Sequence, residues 1–315
     1  MSYASGGLIQ ATDYNNLVGT STSTTRGTIN AVYAQGSGDL GYGQTAVTQS
    51  AAIAGTVTAT QWTTMINALN LMSVHQGAGS VATTVNVSDT IAYKSALAGQ
   101  INTIYDNRLN KVGQGSTTSG TVYSPNWSAG STASAEDYNF TRTVDFGSGD
   151  RARYFFNCGG MLNFVTTSCS SNDGRGRSND LADLVQNKVG SVNNYRAYNN
   201  NGRTGTGGTQ NANNTGIGYW TTATSEQSIV YITSTNYPYS GDWAAINVYS
   251  SARNVDGHGD YGRYIYFKGY MHLGALQSDF GNKQVNVTWN HRIDIVYPET
   301  ATSGIGNSWG TPAIS

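Results

Sequence analysis

Charged side chains are scarce in this chain: they make up 11% of its 315 residues, against roughly 25% in ordinary soluble proteins. The 17 Lys and Arg and the 18 Asp and Glu leave a net charge of −1, and the cations are scattered along the sequence. Binding of a polyanion needs clustered positive charge. The composition therefore predicts neither a nucleic-acid partner nor a membrane partner.

Long apolar runs and cysteines are also few. No stretch approaches the ~18 consecutive apolar residues of a membrane span, and residues 1–7 lack the basic and apolar parts of a signal peptide. We therefore expect a soluble protein that is not exported by the usual route. Two cysteines, Cys158 and Cys169, are too few for a disulfide scaffold, so we predict that both are free thiols.

Aromatic residues, by contrast, are plentiful. The chain holds 21 Tyr and 6 Trp, and 38% of its residues are hydrophobic. This is too much apolar area for a disordered polar chain. We expect a folded protein with polar but uncharged surfaces, and its length fits about two domains.

The first part of the chain, up to about residue 112, has apolar residues at helical spacing. Two segments, residues 9–18 and 57–66, resemble each other, and in each a threonine (Thr12 or Thr60) precedes an aromatic residue and is placed to cap a helix. A third stripe, over residues 91–109, follows a capping signal at Ser88 and Asp89. We predict a small helical domain over residues 1–112, which we expect to dock on a larger assembly.

Residues 113–134 are rich in Gly, Ser and Thr and lack a periodic apolar pattern, which predicts a linker. Alternation of apolar and polar residues then begins, and it predicts antiparallel strands with one packed and one solvated face. Residues 153–157 are included among these strands. The other predicted strands lie within residues 138–146, 161–165, 229–232, 245–249, 263–271 and 285–297.

One helix is predicted within this second part, over residues 180–189, and residues 199–216 are predicted to form a long loop. The expected fold class is therefore α+β: a small N-terminal helical unit followed by an antiparallel β-sandwich with one inserted helix. The sandwich domain is placed at residues 135–300, and residues 301–315 are predicted to form a C-terminal tail.

Motifs for cofactor binding or nucleophilic catalysis lack the context that their chemistry needs. Two G-x-G-x-x-G matches, at residues 36–41 and 257–262, have no preceding strand and following helix, and G-x-S-x-G at residues 306–310 has no histidine after it. We predict no cofactor and no catalytic residues. Asp256, His258 and Asp260 could converge on a metal, but a hairpin turn is the preferred interpretation, so no metal site is assigned.

The residues that could contact a glycan are aromatic side chains near predicted loops, although aromatic residues in strands more often belong to a core. They are Tyr195, Tyr198, Tyr219, Trp220, Tyr237, Tyr239 and Trp243. Carboxylates for glycoside cleavage are scattered and cannot be paired from sequence; they are Asp145, Asp150, Glu226, Asp242, Asp256, Asp260 and Asp294. His75 and His272 are interpreted as ordinary packed or exposed histidines.

Several segments together resemble structural proteins of tailed bacteriophages, notably tail-fibre-like proteins of contractile-tailed phages. The resemblance is carried by residues 134–138 and 153–164 and by later matches at residues 184–192, 218–220, 237–242 and 292–298. It also touches residues 11–15 and 36–43. Family members tend to have F-F-N-A-G-G where this chain has residues 155–160, with Cys158 in place of the alanine.

This resemblance implies a non-enzymatic virion component: a part of the tail, baseplate, neck or fibre that acts in assembly and host attachment. The implied partners are other virion proteins, further copies of this chain and a host-surface glycan, and the implied location is a particle assembled in the host cytoplasm. No catalytic residue is carried over. The alternatives are a polysaccharide-degrading tail enzyme and a glycan-binding module.

Overall fold

The computed structural model describes residues 11–50, 57–80, 94–111, 113–130, 135–190, 192–195, 224–251, 262–276 and 284–315, without the side chains of residues 94–95 and 192–195. Helices come first and antiparallel sheets dominate the rest. The α+β prediction is thus confirmed. The predicted loop at residues 199–216 and the capping signal at Ser88 and Asp89 lie outside the described residues.

The described part of the N-terminal lobe has four helices: α1 (Ala11–Val18), α2 (Asn30–Tyr33), α3 (Ala59–His75) and α4 (Lys94–Asp106). The apolar stripes predicted from sequence face its core, because residues three and four apart share one side of a helix. The buried members are Tyr14, Leu17 and Val18 from α1, Trp62, Met65, Ile66, Leu69 and Met72 from α3, and Leu97, Ile101 and Ile104 from α4.

Helix α3 begins with a capping box at Thr58, two residues before the threonine that the sequence comparison suggested. The Gln61 N–H donates to Thr58 Oγ1 at 3.2 Å, and the Thr58 N–H donates to Gln61 Oε1 at 3.0 Å. Thr60 lies inside the first turn and is exposed. The cap prediction at Thr60 was therefore wrong, because the helix begins at Ala59, three residues before its apolar stripe starts at Trp62.

Thr58→Ala is expected to lower the free energy of unfolding by about 1 kcal/mol, because an amide of the first turn loses its acceptor. Urea unfolding of the full chain measures this loss. Thr60→Ala is the matched control and should change stability by less than about 0.5 kcal/mol. An equal loss in both variants would contradict the assignment of the cap.

The C-terminal half forms two five-stranded antiparallel sheets. The strands are β1 (Gln114–Ser119), β2 (Asn126–Ala129), β3 (Glu136–Asp145), β4 (Met161–Ser171), β5 (Val192–Tyr195), β6 (Gln227–Thr233), β7 (Trp243–Ser250), β8 (Tyr264–Leu273), β9 (Val285–Pro298) and β10 (Ala313–Ile314). The first sheet has the order β1-β9-β4-β5, with β2 also paired to β9, and the second has the order β10-β3-β8-β7-β6.

The two sheets pack face to face through an aromatic core, as a β-sandwich does. Phe140 of the second sheet stacks on His291 of the first with ring centroids 3.9 Å apart, and Phe267 lies 6.1 Å from Phe164. Gly269 is needed beneath Phe140, since a Cβ there would lie 2.2 Å from the Phe140 ring. The alternation within residues 285–297 predicts one packed face, and its members are buried in β9: Val285, Val287, Trp289, His291, Ile293 and Ile295.

The segment predicted as a linker, residues 113–134, instead contributes β1 and β2, which both pair with β9. The Gln, Gly, Ser and Thr residues of β1 are mostly exposed. This strand is therefore held by backbone hydrogen bonds, which leave no apolar pattern in the sequence. In β2, Trp127 and Ala129 are buried in alternation. The predicted tail is also part of the fold, because Trp309 is buried and β10 pairs with β3.

Residues 153–157 were predicted as a strand, but they belong to helix α5 (Gly149–Asn157). Ser148 caps this helix by accepting from the Arg151 N–H at 3.1 Å. Residues 152–157 are all buried, so no polar face reveals the helical period, and a short apolar run cannot distinguish strand from helix. Gly159 ends the helix with φ +93°, a conformation that glycine adopts without strain.

The helix predicted over residues 180–189 is present as α6 (Gly176–Asp183), which continues into a π-helical turn at Leu184–Val189. With α5, the described part of the β half thus holds two helices where one was predicted. Helix α6 bridges the sheets at one end of the sandwich. Its Ser178 accepts from the N–H of Asn286 in β9, while its Arg177 pairs with Asp242, which immediately precedes β7.

The helical lobe is fixed to the β half by buried polar contacts from α5. The guanidinium of Arg153 donates to the carbonyl oxygens of Gln35 and Leu40, the latter at 2.7 Å. The amide of Asn157 donates to the carbonyl oxygens of Leu40 and Gly41, at 2.9 and 3.1 Å. These contacts satisfy loop carbonyls that would otherwise be buried without donors, so the two halves share an interface.

Candidate functional site

The outer face of the second sheet is where exposed aromatic side chains gather. Strand β8 alternates strictly: residues 265, 267, 269, 271 and 273 are buried, and the residues between them lie on the outer face. The outward side chains of β8 are Tyr264, Tyr266, Lys268, Tyr270 and His272. Tyr231 on β6 and Trp243 on β7 join them through the antiparallel pairing of these strands.

We call Tyr231, Trp243, Tyr270 and His272 the aromatic patch. The Trp243 ring stacks on His272 with centroids 5.0 Å apart and planes 13° apart, and it lies 5.1 Å from Tyr231 and 6.2 Å from Tyr270. Two nearly parallel rings with centroids this close cannot lie edge to edge in one plane. The rings of Trp243 and His272 therefore project from adjacent strands with their faces towards each other. Such cross-strand aromatic pairs stabilise a sheet while leaving ring edges exposed.

A carboxylate borders the aromatic patch. Glu226, just before β6, accepts from Tyr270 Oη at 2.6 Å, from Lys268 Nζ at 2.9 Å and from Asn247 Nδ2 at 3.1 Å. Partial burial raises the pKa of Glu226, but these three hydrogen bonds outweigh it and leave the pKa below its ordinary value. The carboxylate is therefore ionised at neutral pH and held in one place.

The other side of the patch is bordered by a second carboxylate. The Nδ1 atom of His272 lies 2.6 Å from Oδ1 of Asp137, a residue of β3 whose side chain is 63% exposed. The patch lies on β6, β7 and β8, and its border at Asp137 extends the site to a fourth adjacent strand, β3. Only the register between these strands brings its members together.

A separate aromatic pair occupies the opposite end of the same face. Tyr249 of β7 stacks on Tyr266 of β8 with centroids 4.6 Å apart, and Tyr264 lies next to Tyr266. Burial raises the pKa of Tyr266, and neighbouring Tyr249 adds to this effect. Because Gln227 of β6 lies opposite Val248 of β7, Glu226 is close to Tyr249, and the matched control for the patch is Tyr264, farther along β8.

The structure places one of the predicted glycan-contact residues, Trp243, at the centre of the patch. Tyr237 and Tyr239 lie instead in the β6–β7 connection, where Tyr237 is 81% exposed and the Tyr239 hydroxyl approaches Gly176. The remaining candidates lie outside the part of the chain whose side chains are described: Tyr195, Tyr198, Tyr219, Trp220 and the metal candidates Asp256, His258 and Asp260.

Sequence reasoning missed Tyr231, Tyr270, His272 and Glu226 as members of one site. The alternation of β8 was visible, and it alone places Tyr270 and His272 on the side opposite the core. Tyr231 and Glu226 could not be added from sequence. They join through pairing of β6 with β7, across the β6–β7 connection.

The described carboxylates that were considered for acid–base chemistry are each bound to a cation. The pairs are Asp145 with Arg263, Asp150 with Arg153, Glu226 with Lys268, Asp242 with Arg177 and Asp294 with Arg292. The hydrogen bond from Arg263 lowers the pKa of Asp145. A general acid for glycoside cleavage must instead hold its proton, so Asp145 and Glu226 are suited to accepting hydrogen bonds.

A concavity lies in the helical lobe, between α3 and the extended residues 45–48. Its volume is about 470 Å³, and its lining includes Thr60, Thr64, Asn67 and Leu71. The Tyr14 hydroxyl donates to the carbonyl oxygens of Thr48 and Gln61 beside it. These contacts join the extended segment to α3.

Two other classes of site, a metal centre and a membrane-spanning helix, have no candidate among the described residues. Within these ranges, no group of three or more His, Cys, Asp and Glu side chains is arranged to hold a metal ion. The helices of the same ranges include none with the length and apolar character to cross a membrane.

The comparisons with known proteins give no relative from which a function could be transferred. No protein-family model matches the chain, and no curated protein and no solved structure matches it either.

Proposed function

We propose that this protein is a structural component of a tailed-bacteriophage particle, in a tail, baseplate, neck or fibre appendage, and that it acts in assembly and host-surface attachment without catalysing a reaction. The observation that carries the proposal is that the described polar and charged side chains form ion pairs and hydrogen bonds within the fold. The described acid–base candidates are bound to Arg or Lys, and Arg153 and Asn157 join the two lobes.

The surface chemistry supports the same proposal. With 11% charged residues, the chain presents few ions for salt to screen. Contacts made from hydrogen bonds and buried aromatic rings therefore keep their strength when salt concentration varies outside a cell. This property suits a particle component that must stay assembled in changing surroundings.

The proposal is tested on particles of the phage that carries this gene. Antibodies against the full chain, applied to gradient-purified particles, should label one appendage in electron micrographs, and mass spectrometry of the same particles should detect the protein. Particles grown with an amber mutation in the gene are the control and should lose the label. Absence of the protein from purified wild-type particles would contradict the proposal.

The aromatic patch favours a second candidate function, that of a glycan-binding module. A polysaccharide-degrading tail enzyme is the remaining alternative. Incubating the purified full chain with host-envelope polysaccharide separates the two. Retention without shortening of the polymer supports a binder, whereas released oligosaccharide would support the enzyme and contradict a role without catalysis.

A further inference from the structure

We infer that the aromatic patch together with Glu226 binds a neutral glycan, with the carboxylate accepting hydrogen bonds from sugar hydroxyls and the exposed ring of Tyr231 packing against a C–H face of the sugar. The inference deepens the proposed attachment function, on which its biological setting rests, by naming the ligand class and the residues that contact it.

The carboxylate of Glu226 provides a rigid acceptor. A carboxylate has about four lone-pair sites, and the hydrogen bonds from Tyr270, Lys268 and Asn247 fill three of them. The side chain is 34% exposed, so the remaining capacity faces solvent. A hydroxyl group of a sugar is a neutral donor of the right type, and a hydrogen bond to an ionised acceptor is stronger than one between neutral groups.

The rings provide the apolar part of the contact. The row that begins at His272 and passes through Trp243 ends at Tyr231, on β6, the last strand in the described order of this sheet. Because Trp243 lies between its two neighbours, its faces are occupied. Tyr231 is 37% exposed, and among the described residues its ring neighbour is Trp243 alone, so it can offer a ring face to a ligand.

The charges of this region select a neutral ligand. The cation among its described residues, Lys268, is paired with Glu226 at 2.9 Å, and hydrogen bonds with Tyr270 and Glu226 raise the pKa of Lys268. Asp137 adds a second carboxylate at the other border. A uronic acid or sulphated polymer would bring negative charge to these carboxylates, and the described residues here offer no unpaired cation to receive it, whereas a neutral polyol meets no such repulsion.

The test uses the purified full chain and isothermal titration calorimetry. The probes are neutral oligosaccharides of glucose, mannose, galactose and N-acetylglucosamine, with polyuronate and a sulphated polysaccharide as the anionic arm. We expect binding of at least one neutral probe and of neither anionic probe. Tyr231→Ala and Glu226→Gln should each raise Kd at least about tenfold, while Tyr264→Ala, at the far end of β8 on the same face, should leave Kd unchanged.

Three outcomes would overturn the inference: binding of no neutral probe, binding of anionic probes alone, or an unchanged Kd in both Tyr231→Ala and Glu226→Gln. Glu226→Gln keeps the side-chain shape, so it remains informative if the tyrosine variant fails to fold, which thermal unfolding would reveal. The result is separate from the particle test. Protein present in particles that binds no neutral glycan contradicts this inference alone, whereas glycan binding by a protein absent from particles contradicts the particle assignment alone.

Discussion

Asp242→Ala is expected to destabilise the protein by about 3–5 kcal/mol, because it leaves a buried guanidinium without its counter-charge. The side chains of Arg177 and Asp242 are 1% and 0% exposed and are joined by two hydrogen bonds, at 2.6 and 2.9 Å. Asp242 also accepts from the Gly274 N–H at 2.8 Å. The pair therefore links α6 to the second sheet at the end of the sandwich.

The matched control for this prediction is the exposed pair Arg26–Asp106 of the helical lobe. Its side chains are 53% and 54% exposed although the two atoms are also 2.6 Å apart. Asp106→Ala should cost far less stability than Asp242→Ala, since water replaces the lost partner. Urea unfolding of both variants gives the comparison, and similar losses in the two would refute the importance of burial at Asp242.

The second large effect is a loss of stability at acid pH caused by His291. Burial between the sheets lowers the pKa of this imidazole from 6.5 to about 4, and the nearby charge of Arg142 acts in the same direction. Its Nδ1–H donates to the Trp289 carbonyl oxygen at 3.1 Å, and its ring stacks on Phe140. The folded protein therefore holds His291 neutral in the range where the unfolded chain protonates it.

The sign of the effect follows from this difference. Between pH 6.5 and about 4 the unfolded chain binds more protons, so the free energy of unfolding falls as pH falls, by on the order of 3 kcal/mol from this residue. The full contribution is present above pH 6.5. Urea unfolding at a series of pH values through this window measures the decline.

His291→Phe separates this effect from the titration of carboxylates, because it removes the imidazole and keeps an aromatic ring between the sheets. The loss of stability between pH 6.5 and about 4 should be smaller in the variant, and the difference between the two proteins is the contribution of His291. Parallel pH profiles would show that this imidazole is not held neutral by the fold.

The strand predictions succeeded where one face of a strand is buried and the other is not. Strand β9 is the clearest case: the residues predicted to pack, from Val285 to Ile295, are buried in the structure. The failures have a common cause. In α5 residues 152–157 are all buried, and β1 is exposed on both faces, so neither segment has the contrast between two faces that makes a period visible.

Some members of the candidate site could likewise be placed from sequence, and others could not. Trp243 was selected from its residue type, and the alternation of β8 suffices to place Tyr270 and His272 on the outer face. The contacts of Tyr231 and Glu226 with these residues depend on the register of β6 against β7 and of β7 against β8. A shift of that register by one residue would turn the side chains to the core.

The sequence by itself determined the helical and sheet halves of this protein and the inner and outer faces of most strands, because local periodicity follows from the geometry of helix and pleat. Only the tertiary structure decided which strands are neighbours, how the lobes dock through Arg153 and which side chains surround Glu226. Those contacts join residues far apart in the chain, and they form only when burial of both sheets in one core sets the strand order and register.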